Sequence, residues 1–400
     1  MPIYRVGVFP DPFFPEIFRS SHNPLLKLMA EAVAKHGWEV VGLSQQQVLS
    51  PAELPSLKLD VLHLHWPKPI FQGTRYWPSP FRRLDNLTQK VKGFPRTILR
   101  NLSLVYSEVA TYHAKQQIKT WMGRLLDQKI PLVWQIHDLV THSATRSQTQ
   151  RNFSLWLHKL FYFHAKQVII HENSCLDTVE ATYGGSKPYT IVPIGDYVVV
   201  HGDAITREEA RRRLNLDESK TVLAYIGTAR ANRNPNTAVQ AFLDVSSVRD
   251  RLIVAGAGTK TTLGWVQDSR VIMFDGMVPN ETLRDILCAV DFVINDAKHY
   301  LTSAIVRAAI SYGVPVVAYP FGSTIDMARG ALIPIDDSSG GITQSLSQCF
   351  HMEPNTYEQM KEVTRARNKE RTWEKCGEAC AQVYATATRD TSIKLNTDGR

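Results

Sequence analysis

The most constraining feature of the sequence is the stretch 285–322, which predicts a strand, a loop, a helix and a second strand. The apolar run Phe292–Ile294 has the length and β-branched content of a buried strand. After a polar loop, an amphipathic helix is predicted from Ala304, with Gly313 as its stop, and a second buried strand follows over 314–318. Buried strands joined by a helix indicate a parallel sheet in an α/β fold.

The loop of this unit ends in Leu301, Thr302 and Ser303, directly before the predicted helix. Two hydroxyl groups and the unpaired amide N–H groups of a helix N-terminus suit an anion, above all a diphosphate. An ordinary crossover capped by Thr and Ser has the same pattern. The loop alone therefore leaves both interpretations open.

Strands and helices alternate twice along the chain, once on each side of a predicted connector at Gly195-Asp196-Tyr197. This alternation predicts two Rossmann-like domains in an α/β fold. The predicted divisions are a first domain over 1–197 with a basic helical insert at 68–130, a second domain over 198–370, a helix over 371–386 that crosses back to the first domain, and a disordered tail over 387–400.

Composition indicates a cytoplasmic protein. No run approaches the roughly 20 apolar residues that span a bilayer, and the N-terminus leads straight into a strand, so no signal peptide is expected. The five cysteines form no CxxC pair, which favours reduced thiols over disulfides or a zinc site. We therefore expect no metal site.

The formal net charge of +8 is concentrated in the first half of the chain. Residues 68–129 carry 12 basic residues against three acidic ones, interleaved with aromatic side chains. Such a surface suits an anionic membrane face. A solvated helical hairpin with a small core of its own is the alternative. Nucleic acid is not expected, because no recognised binding motif accompanies the charge.

Several motifs resemble the GT-B glycosyltransferases, specifically those like glycosyltransferase family 4. The motifs are IGTARANRNP, LIVAGAG, VIMFDGMVPNETLRDILCAVDFVI and LTSAIVRAAISYGVPVVAY. The resemblance is strong over about 220–320, moderate over 130–200, where WQIHDL and VPIGDY carry it, and weak over 44–130.

The resemblance implies two Rossmann-like domains that face a cleft. The second domain would bind a UDP- or GDP-sugar and the first an acceptor, either lipid-linked or a saccharide. Transfer would need no metal, and no separate cofactor, because the nucleotide-sugar donor is a substrate. The implied donor-site residues are Gly227, Arg230, Arg233, Gly256, Met277, Tyr300, Leu301, Thr302 and Ser303. A guanidinium group offers a planar fork to phosphate oxygens, although Arg230 and Arg233 also fit an ordinary surface loop.

Two departures from the family concern the donor and the acceptor. The family's Glu-x7-Glu pair aligns with Tyr300 and Ala308, so both carboxylates are missing. This puts the usual ribose contact and the retaining stereochemistry in doubt. The family's Gly-rich acceptor loop is replaced over 9–24 by a segment rich in Pro and Phe, which suits a hydrophobic acceptor.

Polar residues at predicted strand ends of the first domain are the acceptor-side and catalytic candidates. In an inverting transfer, an Asp or Glu of the first domain would take the acceptor proton. The candidates for acting on acceptor or sugar are His137, Asp138 and Glu172, and the acceptor-side residues are Asp11, His63, His65 and Trp66. For His63 and His65, the alternative is that one caps the strand end and the other lies in the core. For His137, the alternative is a histidine satisfied by a neighbouring carboxylate.

The sequence thus predicts a cytoplasmic glycosyltransferase, peripheral at the inner membrane face, that acts in polysaccharide or glycolipid assembly. Two alternatives stay open. One is a catalytically inactive GT-B-like binding or scaffold protein, which the missing Glu pair favours. The other is a sugar-nucleotide epimerase, for which the basic aromatic insert would have no purpose.

Overall fold

Two six-stranded parallel sheets organise the chain in the computed structural model. The structure describes residues 4–13, 24–77, 96–141, 148–216, 220–229, 233–298 and 300–395, but no side chains in 96–107 or 390–395. These residues fall into two units. The first is drawn from Met1–Ile170, Glu180–Thr190 and Gly377–Arg400, and the second from His171–Val179 and Ile191–Cys376.

The first unit holds the sheet with the strand order β2-β1-β3-β4-β5-β6. Its strands are β1 (Tyr4–Phe9), β2 (Trp38–Gly42), β3 (Val61–Leu64), β4 (Leu132–Gln135), β5 (Gln167–Ile170) and β6 (Tyr189–Ile191). Its helices are Leu25–Ala34, Gln45–Leu49, Pro67–Phe71, Arg96–Asp127 and Gln148–His164, with a 3-10 turn over Pro51–Leu57. Every residue of β3, β4 and β5 is buried, as is typical of central parallel strands covered on both faces.

The second unit holds the sheet with the order β12-β11-β10-β7-β8-β9. Its strands are β7 (Val222–Ile226), β8 (Arg251–Gly256), β9 (Val271–Asp275), β10 (Phe292–Asn295), β11 (Val316–Ala318) and β12 (Leu332–Pro334). Its helices are Val198–His201, Arg207–Arg213, Pro235–Val245, Thr259–Thr262, Asn280–Ala289, Ala304–Ser311, Ser323–Met327, Gly341–Phe350 and Pro354–Glu370. The division between the units falls within the helices Leu176–Tyr183 and Trp373–Leu395.

The predicted α/β class with two Rossmann-like sheets is confirmed by this topology. Helix starts follow from local capping. The Thr206 side chain accepts from the Glu209 N–H at 3.2 Å, and Ser303 caps the helix Ala304–Ser311 by accepting from the Val306 N–H.

The described part of the basic insert holds most of the helix Pro67–Phe71 and one long helix, Arg96–Asp127. Residues 78–95 lie outside the described ranges, so the number of helices in the insert stays a prediction. The buried Trp121 of the long helix donates from Nε1 to the Val48 carbonyl at 3.0 Å. This helix therefore packs on the first unit.

The last helix continues to Leu395, through most of the segment for which the sequence predicts a disordered tail. Beyond the predicted end at 386, Ala387 and Arg389 are good helix formers. Among the described helices, none combines the length and the apolar composition that crossing a membrane requires.

Candidate functional site

The second sheet reverses its strand order between β7 and β10, and the predicted donor-site residues follow these two strands. In open α/β sheets, ligands bind in the crevice outside the carboxyl ends of the strands where the order reverses. Gly227 and Arg233 come after β7, and Tyr300 to Ser303 come after β10. The fold therefore brings the two groups of residues to the same crevice.

Two glycines allow the ends of β7 and β8 to approach each other. Gly227 has φ +146° and Gly256 has φ +142°, and residues other than glycine rarely adopt this backbone conformation. A Cβ on Gly256 would overlap the Gly227 carbonyl, and a Cβ on Gly227 would overlap the guanidinium of Arg233. Glycine at these two positions therefore lets the strand ends and the Arg233 guanidinium pack closely together.

Arg233 lies over the end of β7 in a partly buried position. Its Nη2 donates to the Ile226 carbonyl, its guanidinium stacks 5.2 Å from the Tyr225 ring centroid, and its Nε lies 3.8 Å from Asp296 Oδ1. Burial raises the pKa of Asp296, and the neighbouring Tyr225 and Arg233 oppose that rise. The predicted partner Arg230 lies outside the described residues.

The loop after β10 is fixed by a glycine turn. The buried Leu301 accepts at its carbonyl from the Ser323 N–H at 2.8 Å, and a Cβ on Gly322 would collide with the backbone of Tyr300 and Leu301. Thr302 and Ser303 then lead into the helix N-terminus. The loop is therefore held in place without a ligand.

Four polar atoms in this region are buried and lack a hydrogen-bond partner among the described residues. They are Asn295 Oδ1, Thr302 Oγ1, Ser323 Oγ and Arg233 Nε. Buried polar groups almost always have a partner, so a cluster of exceptions marks a place where a ligand or water completes the bonding. The cluster lies at the crevice that the strand order defines.

Met277 follows β9, at the edge of the same sheet, and is 64% exposed. The strands β7 and β8 lie between β9 and β10 in the sheet. Met277 therefore lies at the rim of the site, away from the cluster of buried polar atoms. Its predicted contact with a nucleobase stays a prediction.

The first sheet reverses its order between β1 and β3, which defines a second crevice at the carboxyl ends of these strands. Of the predicted acceptor-side residues, His63 lies within β3 and is completely buried. Asp11 follows β1, while His65 and Trp66 follow β3. His137 and Asp138 follow β4, the neighbour of β3.

The histidines form a connected cluster in the first unit. His65 Nδ1 lies 2.9 Å from His137 Nε2, and the Trp66 and His137 rings stack with centroids 4.3 Å apart. His63 Nδ1 lies 2.7 Å from the hydroxyl of Tyr384, in the last helix. Each bond between two imidazoles has one donor and one acceptor nitrogen, so His65 fixes the orientation of the His137 ring.

The two candidate aspartates of the first unit, Asp11 and Asp138, have different roles in its loops. The Asp11 carboxylate accepts from the Phe13 N–H at 2.9 Å and lies against Gly42, so it shapes its own loop. The backbone carbonyl of Asp138 accepts from the Tyr183 hydroxyl at 3.3 Å, which anchors the loop that carries His137.

Glu172 lies in the second unit, although the sequence places it with the acceptor-side carboxylates. Its two carboxylate oxygens each accept from Arg371, from Nε and Nη2, both at 2.8 Å, and both side chains are buried. A carboxylate held by a buried bidentate ion pair is poorly placed to accept a proton from a substrate. We therefore leave Glu172 out of the proposed base candidates.

Sequence reasoning missed Asn295, Ser323, Tyr384 and Arg371. Asn295 could have been found from the sequence, because it ends a buried strand, where its amide side chain can contact a ligand bound at the carboxyl ends of the strands. The others depend on the folding of distant segments.

No protein-family model and no curated protein matches the sequence. Solved structures match over nearly all of the chain. The sucrose-phosphate synthase of Thermosynechococcus elongatus has a TM-score of 0.65 at 14% identity, covering 96% of this chain and 98% of that one. HepE of Anabaena, in complex with UDP-glucose, has a TM-score of 0.57 at 12% identity, covering 98% and 99%.

WaaG, a glycosyltransferase involved in lipopolysaccharide biosynthesis, has a TM-score of 0.54 at 14% identity, covering 95% of this chain and 99% of its own. At such identities the likeness establishes the fold. The chain has the GT-B fold of these proteins, as the sequence resemblance predicts.

Proposed function

We propose that this protein is a glycosyltransferase of the family 4 type that moves a sugar from a UDP- or GDP-sugar to a lipid-linked or saccharide acceptor. The observation that carries the proposal is the β7/β10 crevice. The residues after these two strands supply Arg233, the N-terminus of the helix Ala304–Ser311 and the buried polar atoms of Asn295 and Thr302 that lack a hydrogen-bond partner among the described residues. The GT-B fold, shared with a protein solved with UDP-glucose, supports the same conclusion.

The chemistry needs a site that stabilises charge on the departing diphosphate. A guanidinium and the positive end of a helix dipole supply such stabilisation without a metal ion. Arg233 and the N–H groups after Ser303 are suited to this role. Metal-independent transfer is accordingly part of the proposal, and turnover that persists in EDTA is its test.

The first unit supplies the acceptor side in this proposal. Its candidates for taking the acceptor hydroxyl proton are His137 and Asp138, on a loop that Tyr183 anchors. The aromatic face of Trp66, stacked on His137, suits the apolar face of a sugar ring.

A nucleotide screen tests the donor site. Thermal unfolding and calorimetric titration with UDP, GDP, TDP, CDP and ADP are expected to show micromolar binding of UDP or GDP. Ligand at about 100 times its Kd stabilises the folded state by about 2.7 kcal/mol. A variant carrying both Arg230→Ala and Arg233→Ala should lose this effect, because it lacks both of the cations that the proposal assigns to the phosphates. If no nucleotide binds the unaltered protein, the inactive-scaffold alternative replaces the proposal.

Peripheral binding to an anionic membrane is the second part of the proposal, in polysaccharide or glycolipid assembly at the cytoplasmic face. On the helix Arg96–Asp127, Tyr112, Lys115 and Lys119 share one face. Tyr112 is 60% exposed, and Lys115 lies 5.3 Å from the Trp156 ring centroid. A basic face with an exposed aromatic ring suits anionic headgroups.

We expect the protein to sediment with anionic vesicles at low salt and to be released as salt rises. Each basic residue near such a surface contributes about 1 kcal/mol, so Lys119→Glu combined with Tyr112→Ser should weaken binding at least about tenfold. Lys220→Glu, an exposed charge reversal in the second unit, is the matched control. Equal sedimentation of both variants would remove this helix from the membrane proposal.

A further inference from the structure

The crevice between β7 and β10 contains a buried hydrogen-bond acceptor that the protein leaves unused. Asn295, the last residue of β10, is 3% exposed. Its Nδ2 donates to Ser303 Oγ at 3.3 Å, while its Oδ1 has no partner among the described residues. An unmet buried acceptor costs about 1–3 kcal/mol, so Oδ1 is a position where a bound group with a hydrogen to donate would be favoured.

The nitrogen of this amide faces the helix cap. Ser303 Oγ accepts from the Val306 N–H at the start of the helix Ala304–Ser311 and, with its second lone pair, from Asn295 Nδ2. The NH2 group of Asn295 is its complement, and this leaves Oδ1 directed away from Ser303.

The other polar groups at the crevice differ from Asn295 in what they can do. The hydroxyls of Thr302 and Ser323 can donate to phosphate oxygens. The carboxylate of Asp296 is engaged within the protein, because it accepts from the Tyr225 hydroxyl at 2.8 Å and from the Asn234 N–H at 3.2 Å. Asn295 Oδ1 can only accept, and a phosphate group that is fully ionised has no hydrogen to give it.

We infer that Asn295 accepts a hydrogen bond from a hydroxyl group of the bound nucleotide sugar, and so reads the sugar part of the ligand while its neighbours hold the phosphates. This inference rests on the proposed donor site. The absence of a carboxylate at positions 300 and 308 is consistent with it, since an amide oxygen then takes the acceptor role. The hydroxyl belongs either to the ribose or to the transferred sugar.

Calorimetric titration with three ligands separates these two sources. The ligands are UDP, 2′,3′-dideoxy-UDP and UDP-glucose, each measured with the unaltered protein, Asn295→Ala and Asn295→Asp. A hydrogen bond between neutral groups corresponds to about a 2- to 13-fold change in affinity. If the ribose is the source, Asn295→Ala should weaken UDP by this factor and leave dideoxy-UDP unchanged. If the transferred sugar is the source, only UDP-glucose should weaken.

Asn295→Asp keeps an acceptor at this position and should retain the preference for the hydroxyl-bearing ligand that Asn295→Ala loses. Thr302→Val is the matched control in the same loop: it removes a phosphate donor and should weaken all three ligands equally. Thermal unfolding without ligand checks that each variant is folded, and Asn295→Ser replaces Asn295→Ala if the latter is not.

Two outcomes would overturn the inference while leaving the donor site intact. One is that Asn295→Ala changes the affinity for all three ligands by the same factor, or changes none of them. The other is an Asn295→Asp variant that binds the ligands but has lost the preference for the hydroxyl-bearing one, which would show that the oxygen at this position does not accept from that hydroxyl. If the unaltered protein binds none of the three, the series is repeated with GDP, 2′,3′-dideoxy-GDP and GDP-mannose. Failure of both series removes the proposed function itself, and the inference with it.

Discussion

Replacing Arg371 with methionine is expected to destabilise the protein by about 3–5 kcal/mol, because it leaves the Glu172 carboxylate buried without its partner. Arg371 Nε and Nη2 each donate to one oxygen of Glu172 at 2.8 Å, with side-chain exposures of only 10% and 8%. The Arg371 carbonyl also accepts from Arg307 Nη2 at 3.1 Å. Urea unfolding monitored by tryptophan fluorescence measures the effect.

A double replacement distinguishes the unpaired charge from lost packing. With Glu172→Leu added to Arg371→Met, no charge is left buried, and much of the lost stability should return. Exposed surface pairs contribute only about 0–1 kcal/mol, so Lys27→Met, which removes the exposed ion-pair partner of Glu31, should change stability little. If Arg371→Met alone left the unfolding midpoint unchanged, the Glu172–Arg371 pair would not be buried in solution.

Arg307 extends this buried network within the second unit. Its Nε donates to the carbonyls of Ile194 and Gly195 at 2.9 and 3.1 Å, and its Nη2 donates to Asn368 Oδ1 at 2.7 Å. Burial lowers the pKa of Arg307 to about 10, so the guanidinium stays charged at neutral pH. The network joins the connector predicted near Gly195 to the end of the helix Pro354–Glu370.

Local sequence signals predicted most of the strands and the helix starts. The strand predicted over Phe292–Ile294 is β10 (Phe292–Asn295), and the helix predicted from Ala304 begins at that residue. The helix predicted over 371–386 begins at Trp373, where the Thr372 hydroxyl accepts from the Lys375 N–H at 3.2 Å. The ion pair of the Arg371 side chain with Glu172 is instead a tertiary contact, which helical propensity does not encode.

Some residues of the candidate site could likewise be placed from local sequence, and others could not. Gly227, Arg233, Thr302 and Ser303 could be placed at one crevice, because parallel strands put their carboxyl ends at a common edge. The pairs Arg371–Glu172 and Tyr384–His63 join residues 199 and 321 positions apart. Such pairs depend on which strand neighbours which, and a single sequence contains no local signal for that.

Replacing His137 with alanine is expected to lower the turnover number about 10²- to 10⁴-fold, the usual contribution of a positioned acid–base group. In the proposed transfer, the acceptor oxygen bonds to the anomeric carbon, the bond from that carbon to the diphosphate breaks, and the hydroxyl proton passes to the imidazole. Nucleotide affinity should be unchanged, because the proposed donor site lies in the second unit. The measurement is release of nucleoside diphosphate at saturating donor, beside a calorimetric titration.

His65 gives this prediction its sharpest control, since its Nδ1 lies 2.9 Å from His137 Nε2. An asparagine at position 65 can keep a polar atom near the place of Nδ1, whereas phenylalanine keeps the ring shape without a hydrogen-bonding atom. We therefore expect His65→Asn to retain much more turnover than His65→Phe, with similar thermal stability. Equal losses in the two variants would mean that His65 only fills space. Undiminished turnover in His137→Ala would transfer the proton-accepting role to Asp138, on the same anchored loop.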